Sequence, residues 1–134
     1  MLVLMFPGQG SQKRGMGAEL FPEFKELTDS ASSLLGYSLK DLCLINPEGR
    51  LDQTLYTQPA LYVLGTMHWL RYQQSGQRQP DFLIGHSLGE YPALFAGGAF
   101  DFEQGLRIVM RRAAAMDQVK NGSMMAVLDL APDL

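Results

Sequence analysis

The sequence predicts an α/β domain built on a mainly parallel sheet. Two short apolar runs, residues 1–6 and 82–84, show no polar alternation, as strands buried in a parallel sheet do. Each runs into a glycine-rich turn, at residues 7–12 and 85–89. Apolar residues at helical spacing fill the stretches between and after them, so strands alternate with helices. In such a fold, ligands gather at the carboxyl ends of the strands, where both glycine-rich turns fall.

The elements follow in order. After the first strand and its turn, Phe24, Leu27, Ala31, Leu34 and Leu35 recur at helical spacing from Pro22 onward, and Gly36 supplies the stop. Asn46-Pro47-Glu48-Gly49 is turn chemistry. Thr57 is expected to cap the next helix, with Pro59 in its first turn, Leu61, Leu64, Met67 and Leu70 on one face, and Gly76 at its end. Residues 82–84 form the second strand, and the turn at 85–89 opens a helix from about Glu90 toward Ala96. Asp101 starts another helix, with Gln104 as its capping-box partner and Leu106, Val109, Met110, Ala113 and Met116 as its apolar stripe. Asn121-Gly122 is expected to close it, residues 124–128 to form a last strand, and residues 131–134 to start a further helix.

Composition narrows the function. Eleven Lys and Arg against fourteen Asp and Glu leave a net charge of -3, and the basic residues are scattered, so there is no stripe to meet nucleic acid. No apolar run approaches the roughly 20 residues of a membrane helix, and residues 1–6 have neither a basic leader nor a cleavage site, so a cytoplasmic protein without membrane partners is expected. Cys43, the only cysteine, excludes an internal disulfide; among Leu42, Leu44 and Ile45 it reads as packing. One Cys with the well-separated His68 and His86 makes no metal-ligand cluster.

Gly85-His86-Ser87-Leu88-Gly89 fits the G-x-S-x-G nucleophile elbow, in which a sharp strand-to-helix turn exposes the serine. The apolar strand before it and the helix formers after it supply the required context. There the backbone N–H of Leu88 points toward the serine oxygen as one oxyanion donor, helped by the following helix dipole. In Pro7-Gly8-Gln9-Gly10-Ser11-Gln12 the third glycine of a dinucleotide fingerprint is replaced by Lys13. What the loop offers is Gln9 between two glycines, whose side-chain amide or backbone N–H could complete an oxyanion hole; the alternative is a plain turn.

Three motifs in one order and spacing carry a resemblance. Phe6-Pro7-Gly8-Gln9-Gly10-Ser11-Gln12, Thr57-Gln58-Pro59-Ala60-Leu61 and Gly85-His86-Ser87-Leu88-Gly89-Glu90-Tyr91 resemble those of malonyl-CoA:acyl carrier protein transacylases and the acyltransferase domains of polyketide and fatty acid synthases. The segment 42–64, with Asn46-Pro47 ahead of Leu51 and Gln53-Thr54, is most similar to free-standing acyltransferases serving polyketide synthases that lack their own. The resemblance implies a large α/β-hydrolase-like subdomain whose N-terminal part is residues 1–122, with residues 123–134 beginning an inserted ferredoxin-like subdomain. It also implies a ping-pong transfer of malonyl from coenzyme A to the phosphopantetheine thiol of an acyl carrier protein, with no further cofactor.

By the same resemblance Ser87 is the nucleophile, Gln9 and the Leu88 backbone are the oxyanion donors, and Gln58 is a further active-site glutamine. The family's carboxylate-binding arginine lies in an Arg-x-x-x-Met pattern, which falls on Arg112 and Met116. Helical geometry agrees: at about 100° per residue Arg111 projects opposite the apolar stripe, whereas Arg112 lies at its edge and can place a forked cation in a cleft. His86 is counted with Arg112 and Gln58 among the substrate-binding residues, packing or hydrogen-bonding in the turn; adjacent elbow residues diverge, so it is not expected to reach the Ser87 hydroxyl as a base. His68 is expected on a helix surface.

The family's catalytic histidine lies well beyond the elbow, and neither His68 nor His86 matches it. The expectation is therefore that the remainder of a longer acyltransferase chain supplies the base. Two alternatives are a hydrolase of the same fold that clears carrier proteins, for which Arg112 has no use, and a non-catalytic carrier-protein-binding module, opposed by the intact elbow.

Overall fold

The computed structural model describes residues 1–119 and Gly122. Strand β1 (Val3–Phe6) pairs in parallel with β2 (Phe82–Gly85), Val3 lying opposite Phe82 and Phe6 opposite Gly85. The connection between them carries α1 (Lys25–Leu35), α2 (Leu39–Leu44), a 3₁₀ segment (Pro47–Asp52) and α3 (Thr54–Gln74). After β2 come a 3₁₀ turn (Ser87–Gly89), α4 (Glu90–Ala96) and α5 (Phe102–Asp117). The strand–helix–strand–helix order and the parallel pairing are those expected from the sequence.

Helix α1 begins at Lys25, three residues after Pro22, because residues 17–24 first make tighter turns closed by Leu20 and Phe21 N–H on the Gly17 carbonyl. It ends as expected at Gly36, in the left-handed region (φ 77°). Helix α2 was not anticipated. Six residues are too few to show a helical period, yet Ser38 caps it by accepting from the Asp41 N–H at 3.1 Å. Cys43 sits on this helix, fully buried, and burial pushes its thiol up to about 12. Iodoacetamide at mildly alkaline pH is accordingly expected to spare Cys43 in the folded protein and modify it in urea; ready alkylation of the folded protein would remove it from the core.

Helix α3 corrects two expectations. It starts at Thr54 with Gln53 in the capping position, so Thr57 is not the cap and Pro59 lies beyond the first turn. The Thr57 hydroxyl is buried instead and is shared between the carbonyls of Leu51 (2.5 Å) and Gln53 (2.9 Å). Nor does α3 have a single apolar face: every residue from Thr57 to Leu64 is buried, because α4, α5 and the 3₁₀ segment enclose it. Helix α5 carries the full expected capping box, with Gln104 N–H on Asp101 Oδ1 (2.8 Å) and Asp101 N–H on Gln104 Oε1 (3.3 Å). Leu106, Val109 and Ala113 are buried against α3, while Met116 at the end of the stripe is 39% exposed. The helix ends at Asp117, short of the expected Asn121-Gly122 stop. The strand at 124–128, the start of a helix at 131–134 and the subdomain beginning at residue 123 lie outside the described residues.

One sheet face is covered and the other is open. Phe6 is buried on the side packed by α4, whereas Met5, Phe82 and Ile84 are exposed. No helix of the described residues is long and apolar enough to cross a membrane.

Candidate active site at the carboxyl ends of the strands

The elbow is built by close backbone approach. A Cβ on Gly85 would lie 2.1 Å from the Gly89 carbonyl carbon, and a Cβ on Gly89 would lie 2.1 Å from the Phe6 carbonyl oxygen. Only glycine fits at either place, which is the physical content of the G-x-S-x-G pattern. Ser87 stands between them at φ 54°, a left-handed conformation costing a side-chain-bearing residue on the order of 1–2 kcal/mol. Leu88 is buried and anchors the turn; Ser87 is exposed. Gly89→Ala is expected to lower stability by about 3 kcal/mol, since the new methyl must part β1 from the elbow. An unchanged denaturant midpoint would show the approach to be looser than this.

The loop after β1 lies beside the elbow, held by His86 N–H on the Phe6 carbonyl at 3.0 Å. Within it Ser11 N–H (3.3 Å) and Oγ–H (2.8 Å) donate to the Gly8 carbonyl, and Gly10 N–H donates to Gln12 Oε1 at 2.7 Å. The Gln9 side chain projects toward α3, where Nε2 donates to Thr54 Oγ1 at 3.2 Å.

Arg112 on α5 joins these parts. Its Nη2 donates to Ser87 Oγ at 3.1 Å and its Nη1 to Gln58 Oε1 at 2.6 Å. Buried Gln58 in turn donates through Nε2 to Gln9 Oε1 and to Met116 Sδ, both at 3.2 Å. The guanidinium also lies over the Tyr91 ring, 5.7 Å from its centre. One cluster thus holds Ser87, Gln9, Gln58, Arg112 and Met116, residues drawn from four separate places in the chain. Arg111 is exposed, as the helical geometry required.

His86 is exposed, and its ring lies against Gly8, where a Cβ would come 2.8 Å from Nδ1. The hydrogen bonds described for His86 are backbone ones, to Phe6 and Gly89. Sequence reasoning gave no role to Thr54 or Tyr91. Tyr91 had a signal, standing four residues after Ser87 and so on the same side of the turn that follows it. Thr54 had none, because its partner Gln9 is 45 residues away. Concavity does not single out this cluster: a groove of about 490 Å³ lies against Leu4, Leu64 and Tyr72, and neither Ser87 nor Arg112 lines it. The Arg112 guanidinium within hydrogen-bond distance of the elbow serine is the better indicator of chemistry.

Residues 3–133 match the acyl transferase domain family. The chain belongs to this family. Over 130 residues the acyl transferase domain is 55% identical to the polyketide biosynthesis malonyl CoA-acyl carrier protein transacylase PksC of Bacillus subtilis, covering 97% of this chain and 45% of that protein. The domain thus spans less than half the length of this curated relative. Among solved structures it resembles a malonyl CoA-acyl carrier protein transacylase from Burkholderia pseudomallei, with a TM-score of 0.82, 52% identity, and coverage of 87% of this chain and 40% of that one. It also resembles the malonyl-transacylase solved in complex with a type II polyketide synthase acyl-carrier protein, at a TM-score of 0.79 and 42% identity, covering 85% of this chain and 38% of that one. The expected fold class and family resemblance, including the polyketide acyltransferases, therefore hold for this acyl transferase domain.

Proposed function

We propose that this acyl transferase domain carries the nucleophile and the acyl-selecting arginine of an enzyme that moves malonyl from coenzyme A to the phosphopantetheine thiol of an acyl carrier protein. The observation that carries this reading is the Arg112 guanidinium 3.1 Å from Ser87 Oγ, a forked cation beside an exposed elbow serine. A two-carbon neutral acyl group has no use for it; a malonyl carboxylate takes two parallel hydrogen bonds from it.

In the first half-reaction Ser87 Oγ bonds to the thioester carbonyl carbon and loses its proton to the general base. The Leu88 N–H and Gln9 stabilise the oxyanion, the C–S bond breaks, and coenzyme A leaves as the thiol with that proton. In the second half-reaction the carrier-protein thiol attacks the malonyl ester, the C–O bond breaks, and the proton returns to Ser87. The base in this reading is a histidine supplied from beyond residues 1–134, which fits relatives more than twice as long as this chain. On the same reading residues 1–122 belong to the large subdomain and residues 123–134 begin the small one. The donor thioester and the acceptor thiol supply all the chemistry, so no cofactor is invoked, and both substrates are at home in the cytoplasm.

The test is transfer by the full-length protein containing this domain, with malonyl-CoA and a phosphopantetheinylated carrier protein, followed by mass spectrometry of the carrier. Malonyl-carrier protein is the expected product. Release of free malonate without loading the carrier would make the enzyme a hydrolase instead.

A further inference from the structure

We propose that Thr54 is a positioning residue for acyl transfer: it ends a one-directional chain of hydrogen bonds that fixes the Gln9 amide, and with it the loop beside Ser87. The inference rests on the acyl-Ser87 reading above.

The direction of the chain follows from donor chemistry alone. Arginine has donors and no acceptor, so the end of Gln58 that meets Arg112 Nη1 at 2.6 Å is its oxygen. Its NH₂ then faces the other way, toward Gln9 at 3.2 Å and Met116 Sδ at 3.2 Å, and what it meets on Gln9 is the amide oxygen. Full burial of Gln58 leaves it no room to swing, and a flip would set its oxygen against an oxygen and a sulfur. The NH₂ of Gln9 is thereby turned to Thr54 Oγ1, 3.2 Å away. A hydroxyl there accepts; a methyl would leave this end of the amide untethered.

The loop depends on that tether. Gln9 is flanked by Gly8 and Gly10, the latter at φ 107°, and its side chain is held at both ends, by Gln58 on one side and Thr54 on the other. Thr54 is the first residue of α3, fixed to the core by the buried turns that follow. Loop position relative to Ser87 is therefore set from α3, by a hydroxyl that acts through Gln9. This separates Thr54 from Arg112. Loss of the tether disturbs the oxyanion side of the site, which every acyl group uses, and leaves the carboxylate side intact.

In the full-length protein, single-turnover acylation of Ser87 by malonyl-CoA and by acetyl-CoA is the measurement. Thr54→Val is expected to slow both by about tenfold, as the loss of one neutral hydrogen bond would, with their ratio unchanged. Thr54→Ser keeps the hydroxyl and should acylate at the wild-type rate. In a Gln9→Ala background Thr54→Val should have little further effect, since the group it holds is gone. Wild-type rates in Thr54→Val, failure of Thr54→Ser to restore the rate, or full additivity with Gln9→Ala would each overturn the proposal. A malonyl adduct that persists in Ser87→Ala would overturn the acyl-serine reading itself, whatever Thr54 does.

Discussion

Replacing Ser87 with Ala is expected to lower malonyl transfer by on the order of 10⁴-fold or more while the protein remains folded. The oxygen is the only atom removed, and it stands exposed at the tip of the elbow, where its hydrogen bond comes from Arg112 rather than from the core. A contrast sharpens the expectation. Ser87 occupies a left-handed conformation that costs a residue with a Cβ on the order of 1–2 kcal/mol, a cost glycine does not bear. Ser87→Gly is thus expected to be equally inactive yet as stable as wild type or more so, read as an unchanged or raised Tm. Residual activity in either variant close to the wild-type rate would place the nucleophile elsewhere.

Removing Arg112 is expected to divide the substrates. Arg112→Ala deprives a malonyl carboxylate of a charge-assisted pair in a half-buried site, roughly 2–5 kcal/mol, which lowers malonyl kcat/KM by about 30-fold to a few thousand-fold. Acetyl-CoA has no carboxylate to lose. Its use should hold steady or rise, because the uncompensated guanidinium that opposes a neutral acyl group is gone. Arg111→Ala should change neither, since Arg111 is exposed. Equal loss of both substrates in Arg112→Ala would make the residue structural, and loss of malonyl activity in Arg111→Ala alone would move the role to its neighbour.

Features governed by nearby residues were legible in the sequence. The elbow could be read because its constraint is local: two glycines at fixed offsets after a strand are what close backbone contact demands, and the structure places both where a Cβ would collide. The Asp101–Gln104 capping box was legible for the same reason. Arg112 was separable from Arg111 because a helix turns by a known angle per residue. Features set by enclosure were not legible. Thr57 has the side chain of a cap, but burial turns its hydroxyl back onto the Leu51 and Gln53 carbonyls, and the helix starts one turn earlier. Helix α3 shows no single apolar face because three elements surround it, so the residues expected to mark one side are part of an all-round core. The Gln9–Thr54 contact joins positions 45 residues apart and leaves no periodic trace, whereas Gln9 and Gln58 themselves were found through motif resemblance.

The central claim is that the acyl group rests on Ser87 between the two substrates. Brief incubation of the full-length protein with malonyl-CoA in the absence of carrier protein, then acid quench, digestion and mass spectrometry, locates it directly. The account predicts one malonyl group per chain, on Ser87, discharged when carrier protein is added before the quench. A malonyl group on any other residue, or rapid transfer to the carrier with Ser87 unmodified throughout, would contradict it.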